Sequence, residues 1–447
     1  MSARIQPRTL KGFRDYPPAK MIPREWIIET ARRVYRSYGF SPIDTPALEH
    51  LEILTGKGSD ETDKQLYRFE DHGGRQVGMR FDLTVPLARF VAQHIQELGT
   101  PFKRYQIANV WRGENTQRGR YREFMQCDFD TIGTTSLSAD IEMVLVINDL
   151  LSALEVGEFT IHINHRGVLN GLLAILNLAE QATAILRTLD KLAKIGTEKV
   201  RRELTSTVGA TDAQAEQLLQ LSSLEGSNEK KLAGAEKLVA GNEVGEAGVA
   251  QLRELIDCAS ATIPAEATNR IRFEASICRG LDYYTGIVLE TTLDDLPEIG
   301  SVASGGRYDN LANLYTSQKL PGVGASLGLD RLLAALEELG RLEQVQTTAE
   351  VFIPFFDSSR RNDYLQLAAQ IRAAGIGVEF FPDAKKLGKQ LQYANRRGFR
   401  IALVIGDDEF STHQCQVKDL AIGKSQTVAL KDNAQAVIAK IHDILQS

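Results

Sequence analysis

FKRYQIANVWRGENTQRGRYREFMQCDFDTIG, residues Phe102–Gly133, holds two alternating runs around a polar, basic, glycine-containing middle. That pattern reads as two antiparallel strands joined by a long loop rather than by a tight turn. On the second run the period of two puts Met125, Cys127, Phe129 and Thr131 on one face, and Phe124, Gln126, Asp128 and Asp130 on the other. On the first, Tyr105, Ile107 and Trp111 share a face, while Arg112 points the opposite way and opens the loop, followed by Glu114, Arg118, Arg120 and Arg122. One face is expected to pack and the other to meet something polar. So many guanidiniums around one loop suit a polyphosphate or a nucleic-acid end. A strand pair with one solvated face and a salt-bridged loop gives the same pattern.

Towards the N-terminus, Trp26, Ile27, Thr30, Ala31, Val34, Tyr35 and Tyr38 recur at three- and four-residue spacing, so Met21–Tyr38 reads as an amphipathic helix ended at Gly39. An extended piece, Ser41–Thr45, is closed by Pro46, because proline lacks the N–H that a ladder needs. Tyr67–Asp71 and Val77–Phe81 read as a hairpin around HGGR, and RFDLT then leads into a helix with Pro86 in its first turn. Thr84 reads equally as the N-cap of that helix or as a ligand contact.

Towards the C-terminus, Asp140–Leu154 is helical and Phe159–Asn164 extended. The stretch 166–262 is rich in Ala, Leu, Glu and Lys at helical period, a helical insertion that is either a spacer or a clamp on a partner. Ile271–Glu290 returns to β character around RGLDYYTG. In Ala303–Arg331, SGGRYDNL precedes PGVGASLGLDRLLAAL, where glycines admit close backbone approach and Arg331 can reach a phosphate or stack on a base. Beyond a polar connector at 340–350, VFIPFF, VEFFP and IALVIG alternate with helices as a small α/β domain. Six basic and no acidic residues fall between Lys385 and Arg400, either a solvated helix face or an RNA surface.

A chain of 447 residues is too long for one core, and about three domains are expected. With 43% hydrophobic and 25% charged residues it is an ordinary globular protein, and a net charge of −6 argues against coating nucleic acid through bulk charge. No apolar stretch of signal-peptide or membrane-spanning length is present, so a cytoplasmic location without membrane contact is expected. Cys127, Cys258, Cys278 and Cys415 are scattered without metal-ligand spacing, and no structural metal is expected.

WRGE followed by RGRYREF and a returning strand resembles motif 2 of the class II aminoacyl-tRNA synthetases, and GRYREFMQCDFD with RFDLTVP and RGLDYYTG is most similar to their histidine-specific members. The helix and proline-ended strand resemble motif 1, and Ala303–Arg331 resembles motif 3. The resemblance implies an α+β fold: an antiparallel sheet with flanking helices, a helical insertion, and a C-terminal α/β anticodon-binding domain. It implies a discontinuous catalytic domain at 1–165 and 263–339, the insertion at 166–262 and the anticodon domain at 348–447. The implied activity is ATP-dependent formation of histidyl-adenylate and transfer to tRNA(His) by a homodimer, with Mg2+ accompanying ATP.

By the same resemblance, Arg112 and Arg279 are catalytic. Glu114, Arg120, Phe124 and Arg331, with Arg112, bind ATP. Asp82, Thr84 and Gln126 take the α-ammonium of L-histidine, Asp130 and Tyr284 read its imidazole, and Tyr283 lines the pocket. Lys385, Lys386, Lys389, Arg396 and Arg397 are implied for tRNA. Motif 3 departs from the usual pattern, with Asp330 in place of glutamate, Ser326 where a small residue or glycine is expected and Asn310 where glycine is frequent. A histidine-sensing, non-enzymatic paralogue would be expected to lose the motif arginines, and a class IIa synthetase for another amino acid to lack RGLDYYTG. This chain has both.

Overall fold

The computed structural model describes residues 4–55, 60–277, 284–342, 346–431 and 433–446, with only the backbone at 60–62 and at Ala193. Two compact units make up the chain: Met1–Arg14 with Ile27–Arg341, and Asp15–Trp26 with Leu342–Ser447. The short stretch Asp15–Trp26 therefore packs with the C-terminal unit, although it falls inside the first catalytic segment expected from the sequence.

The first unit contains β1 (Ser41–Pro42), β2 (Leu48–His50), β3 (Arg68–Glu70), β4 (Gln76–Met79), β5 (Phe102–Trp111), β6 (Glu123–Ile132), β7 (Phe159–His165), β8 (Ile271–Phe273), β9 (Ile287–Leu293), β10 (Ala303–Arg307) and β11 (Gly322–Gly328). Eight of them form one sheet in the order β1-β5-β6-β11-β10-β9-β7-β8, and β2-β4-β3 form a small second sheet. Within the large sheet β1 runs parallel to β5 and β8 parallel to β7, and all other neighbours are antiparallel. Of the expected strand at Ser41–Thr45, Ser41 and Pro42 form the ladder with β5, and the Ile43 N–H adds a bond to the Tyr105 carbonyl at 3.0 Å. A proline there fits because β1 is the sheet edge. The HGGR hairpin forms as β3 and β4, and β2, not foreseen, completes its sheet.

The large sheet has two unlike faces. Odd-numbered residues of β5 and β6 meet the helix Pro18–Ser37, whose Tyr35 hydroxyl donates to the Cys127 carbonyl at 2.9 Å and whose ring lies 4.8 Å from that of Phe129. Ile27, Ala31, Val34 and Tyr35 are buried as the spacing predicts, whereas Trp26 is 41% exposed. On the same face Arg307 grips Asp140, on the helix Leu137–Ala153, through two hydrogen bonds of 2.9 and 2.8 Å. Among the described residues the even-numbered face is covered at one end, by the helix Thr84–Leu98, where Leu87, Val91 and Ile95 pack with Phe102, Ile132 and Tyr308. Its other end stays open. Between β7 and β8 the chain is helical, from Arg166–Ile175 to Glu243–Thr262.

The second unit holds β12 (Val351–Ile353), β13 (Val378–Phe380), β14 (Ile401–Val404), β15 (Gln414–Asp419) and β16 (Ser425–Ala429), in the order β13-β12-β14-β15-β16. The first three are parallel, as crossover helices require, and β15 and β16 extend the sheet antiparallel. Val351, Ile353, Phe355, Tyr364, Ile401, Leu403 and Ile441 form its core. Among the described residues no helix is long and apolar enough to cross a membrane.

Candidate active site

Cross-strand register assembles the open face. Opposite one another lie Arg104 and Asp130, Gln106 and Asp128, Ala108 and Gln126, and Val110 and Phe124. β11 sets Gly324 beside Asp130 and Ser326 beside Asp128. Arg112 is the first residue beyond β5, and its N–H bonds the Arg122 carbonyl at 2.9 Å, which closes the base of the loop. Its Nε donates to the Phe81 carbonyl at 3.1 Å, and its guanidinium lies 4.2 Å from the Phe81 ring centre and 5.1 Å from that of Phe124. Two rings and a carbonyl thus fix the plane of the guanidinium, and an oxyanion meeting it finds a preorganised fork.

A cavity of about 360 Å³ opens beside this arginine. It is lined by Arg112, Glu114, Arg120, Phe124 and Arg331, all five residues expected at a nucleotide, together with Gln126 and Tyr284. Glu290, Ser301, Ser304, Ser326 and Asp330 complete the polar wall.

Deeper on the same face the sign of the charge reverses. Arg104 is fully buried and pairs with Asp130 at 2.7 Å. The Tyr308 hydroxyl donates to the other oxygen of Asp130. Burial pushes the Asp128 carboxyl up to about 7, although Arg104 pulls it down and the Ser326 hydroxyl hydrogen-bonds it. Burial also raises Asp82, against hydrogen bonds from Val85 and Thr84 and the charge of Arg112. Arg104 acts on all three carboxylates, with Arg112 on Asp82 and the buried Arg80 on Asp128, yet burial still raises each of them, and a cationic ligand suits such a site. Gln126 spends its amide N–H on Ser326 at 3.2 Å, and its buried Oε1 has no hydrogen-bond partner among the described residues. Space here depends on glycine: a Cβ at Gly324 would fall 1.9 Å from the Asp130 carboxylate, and one at Gly306 would fall 2.8 Å from the Tyr284 ring.

Asp82, not Thr84, caps the helix that follows. Its Oδ1 accepts the Val85 N–H at 2.9 Å, and Thr84 is the first helical residue. Asp82, Thr84 and Asp130 lie outside the cavity wall. Arg279 and Tyr283 fall outside the described residues, as do Cys278 and Asp282. Sequence reasoning missed Arg104 and Tyr308. The one signal was register, since Arg104 is the only cation on the even face of β5 and stands opposite Asp130.

In the second unit, Lys385, Lys386, Lys389 and Arg396 are exposed on or beside the helix Leu387–Arg397, and Arg397 is half-buried. Lys385 pairs with Asp383 at 2.9 Å and Arg400 with Asp419 at 3.1 Å, so part of the basic run is locally neutralised.

An antiparallel sheet whose hairpin arginine lies between two aromatic rings, with a second arginine on the helix after β11, defines a class II aminoacyl-tRNA synthetase. Comparison with known proteins gives the particular family. The family model for histidyl-tRNA synthetase matches residues 12–332, and that for an anticodon binding domain matches residues 351–440. A histidine--tRNA ligase of Rhodopirellula baltica is 62% identical over 425 residues, 95% of this chain and 96% of that protein. One from Wolinella succinogenes is 47% identical over 94% and 95% of the two chains. The crystal structure of histidyl-tRNA synthetase from Nostoc sp. PCC 7120 superposes with a TM-score of 0.89 at 34% identity, covering 98% of this chain and all of the other. The chain belongs to the histidyl-tRNA synthetase family.

Proposed function

We propose that this chain activates L-histidine with ATP, giving histidyl-adenylate and pyrophosphate, and then transfers the histidyl group to the 3′-terminal ribose of tRNA(His). One observation carries this reading: the open sheet face has arginines at one end and, at the other, buried carboxylates whose pKa is raised by desolvation. A zwitterionic amino acid aligns in that field with its ammonium towards Asp82 and Gln126 and its carboxylate towards Arg112. A carboxylate oxygen attacks the α-phosphorus of ATP, and the bond to the pyrophosphate oxygen breaks. No general base is needed, because the amino-acid carboxylate is ionised near pH 7. Position and charge supply the catalysis.

Arg112 holds the α-phosphate and the substrate carboxylate, with Arg279 as the second cation. Glu114, Arg120 and Arg331 hold the rest of ATP, and Phe124 offers its ring to adenine. Thr84 joins Asp82 and Gln126 at the ammonium. Asp130 and Tyr284 read the imidazole beside Tyr283. Mg2+ would arrive on the triphosphate and neutralise part of its charge. Glu114 and Glu290 in the cavity wall suit such an ion, although among the described residues no cluster of three or more metal-ligating side chains occurs.

The segments 1–165 and 263–339 form the catalytic domain, 166–262 closes over the acceptor stem, and 348–447 reads the anticodon through Lys385, Lys386, Lys389, Arg396 and Arg397. The region Met21–Pro46 forms a two-fold interface in a cytoplasmic homodimer. The exposed Trp26 supports that placement. Sedimentation checks it, since a stable, active monomer contradicts it. The activity is tested by pyrophosphate–ATP exchange with each of the twenty amino acids. Histidine should support exchange far above any other. Equal exchange with several amino acids, or none with histidine, removes the assignment.

A further inference from the structure

The N-terminal segment meets the wall of the candidate nucleotide cavity through Arg14, whose partner Asp330 lines it. Arg14 donates from one guanidinium nitrogen to the Tyr121 hydroxyl at 2.8 Å, and its guanidinium lies 3.8 Å from the centre of that ring. Its other terminal nitrogen donates to Oδ1 of Asp330 at 2.8 Å. Asp330 is 1% exposed, and its Oδ2 accepts the Met125 N–H at 2.8 Å. β11 ends at Gly328, opposite Gln126, so the Asp330 carboxylate replaces the strand as acceptor for the next N–H along β6. The backbone adds a second clasp, because the Arg122 N–H donates to the Gly12 carbonyl at 2.9 Å.

The residues Arg14 holds are the immediate chain neighbours of two cavity arginines. Tyr121 follows Arg120 in the loop, and Asp330 precedes Arg331 on the helix Leu329–Glu338. Loop and helix touch nearby, since a Cβ at Gly119 would lie 3.2 Å from the Arg331 Cα. We infer that Arg14 is a positioning residue for ATP, a planar fork whose two ends set the loop bearing Arg120 and the helix bearing Arg331 at a fixed separation. The aspartate found where motif 3 usually carries glutamate is then one half of a matched pair, a short carboxylate met by a long arginine. Arg14 is not in the cavity wall, whereas its partner Asp330 is, so it acts on the cavity through the residues it holds. This inference rests on the nucleotide role proposed for the cavity.

The test is calorimetric titration of ATP, and separately of histidine, into wild-type, Arg14→Ala, Arg14→Lys and Tyr121→Phe proteins, with thermal midpoints and histidine-dependent exchange measured alongside. Arg14→Ala should weaken ATP about tenfold, the size expected for losing hydrogen bonds to a charged group, with histidine affinity within about twofold of wild type. Arg14→Lys should recover only part of the loss, because one ammonium cannot serve two acceptors in a fixed plane. Tyr121→Phe, which removes only a hydroxyl, should weaken ATP by about two- to threefold. Unchanged ATP affinity in Arg14→Ala or Arg14→Lys overturns the inference. So does a parallel fall of ATP affinity, histidine affinity and thermal midpoint, the mark of a merely structural contact. Wild-type protein that binds ATP but gives no histidine-dependent exchange removes the proposed activity, while the ATP titrations still decide the role of Arg14.

Discussion

The two ends of the open sheet face are built from the same strands and differ in almost every physical respect. At the loop end Arg112, Arg120 and Arg331 line a cavity in contact with solvent. At the inner end Asp128 and Asp130 are buried around one guanidinium, Arg104, which is wholly excluded from water. At the outer end Arg112 is held by two rings and a carbonyl, and Arg331 donates to the Ser301 carbonyl. Burial raises the pKa of the carboxylates at the inner end despite the cations near them, so they are satisfied best when a further positive group arrives. One β-hairpin thus carries Arg112 at one end and Arg104, Asp128 and Asp130 at the other, because alternation sends them to the same side of the sheet.

If the outer end acts on the transition state, Arg112→Ala should lower single-turnover adenylation about 100- to 1,000-fold, roughly 3–4 kcal/mol, as for loss of one preorganised donor. Arg279→Ala should behave alike. The check is rapid quench at saturating histidine and ATP, and an unchanged chemical step would make either residue structural. Asp130→Asn attacks the inner end. It leaves Arg104 with a neutral partner in the core and should cost about 3 kcal/mol of stability, the low end for breaking a buried pair, because Asp82 and Asp128 remain near. Urea unfolding measures this, and a loss below about 1 kcal/mol would show that the pair is screened.

Asp128 sharpens the contrast through pH. Its carboxyl, pushed up to about 7, is raised above its unfolded value of 3.8. The native state therefore binds the extra proton between those values, and the stability this confers is full below the unfolded pKa and lost as pH rises through 7. Asp128→Asn lacks that loss. Relative to wild type at the same pH, the variant should gain at least about 1 kcal/mol between pH 5 and pH 8, each pKa unit being worth about 1.4 kcal/mol. Comparison at equal pH removes the opposite contribution of His165, whose imidazole burial lowers to about 4. A pH-independent difference would place the Asp128 charge elsewhere. The smallest effect belongs to neither end: Lys389→Ala, on the exposed basic run, should leave exchange unchanged and reduce the salt slope of tRNA binding by about one. An unaltered slope would mark that lysine as a solvated surface residue.

Much of this was legible in the chain because the strongest signals are local. Alternation over Phe102–Trp111 and Glu123–Ile132 identifies both strands and assigns their faces, and of the loop arginines between them the cavity gathers Arg112 and Arg120, while Arg118 pairs with Glu338. What stayed hidden depends on partners distant in the chain. Arg104 follows Lys103 and looks like a surface residue until register sets it against Asp130. Asp330 looked like a mere departure from a motif, since its partner Arg14 is 316 residues away. Thr84 has the composition of a cap, yet the chain turns two residues earlier and Asp82 reaches Val85 first. Helical spacing told which side of Met21–Tyr38 is apolar but not what covers it, and so Trp26 was grouped with residues that are buried.

The division of labour between the two ends is tested most directly by measuring equilibrium histidine binding and the single-turnover adenylation rate side by side for Arg112→Ala and Asp130→Asn. Opposite profiles are expected. Arg112→Ala should keep histidine affinity within a few-fold while losing about 100-fold or more in rate. Asp130→Asn should lose histidine affinity while retaining most of the rate at saturation. If both variants lose affinity and rate in the same proportion, the face is one undivided binding surface and its two ends have no separate roles.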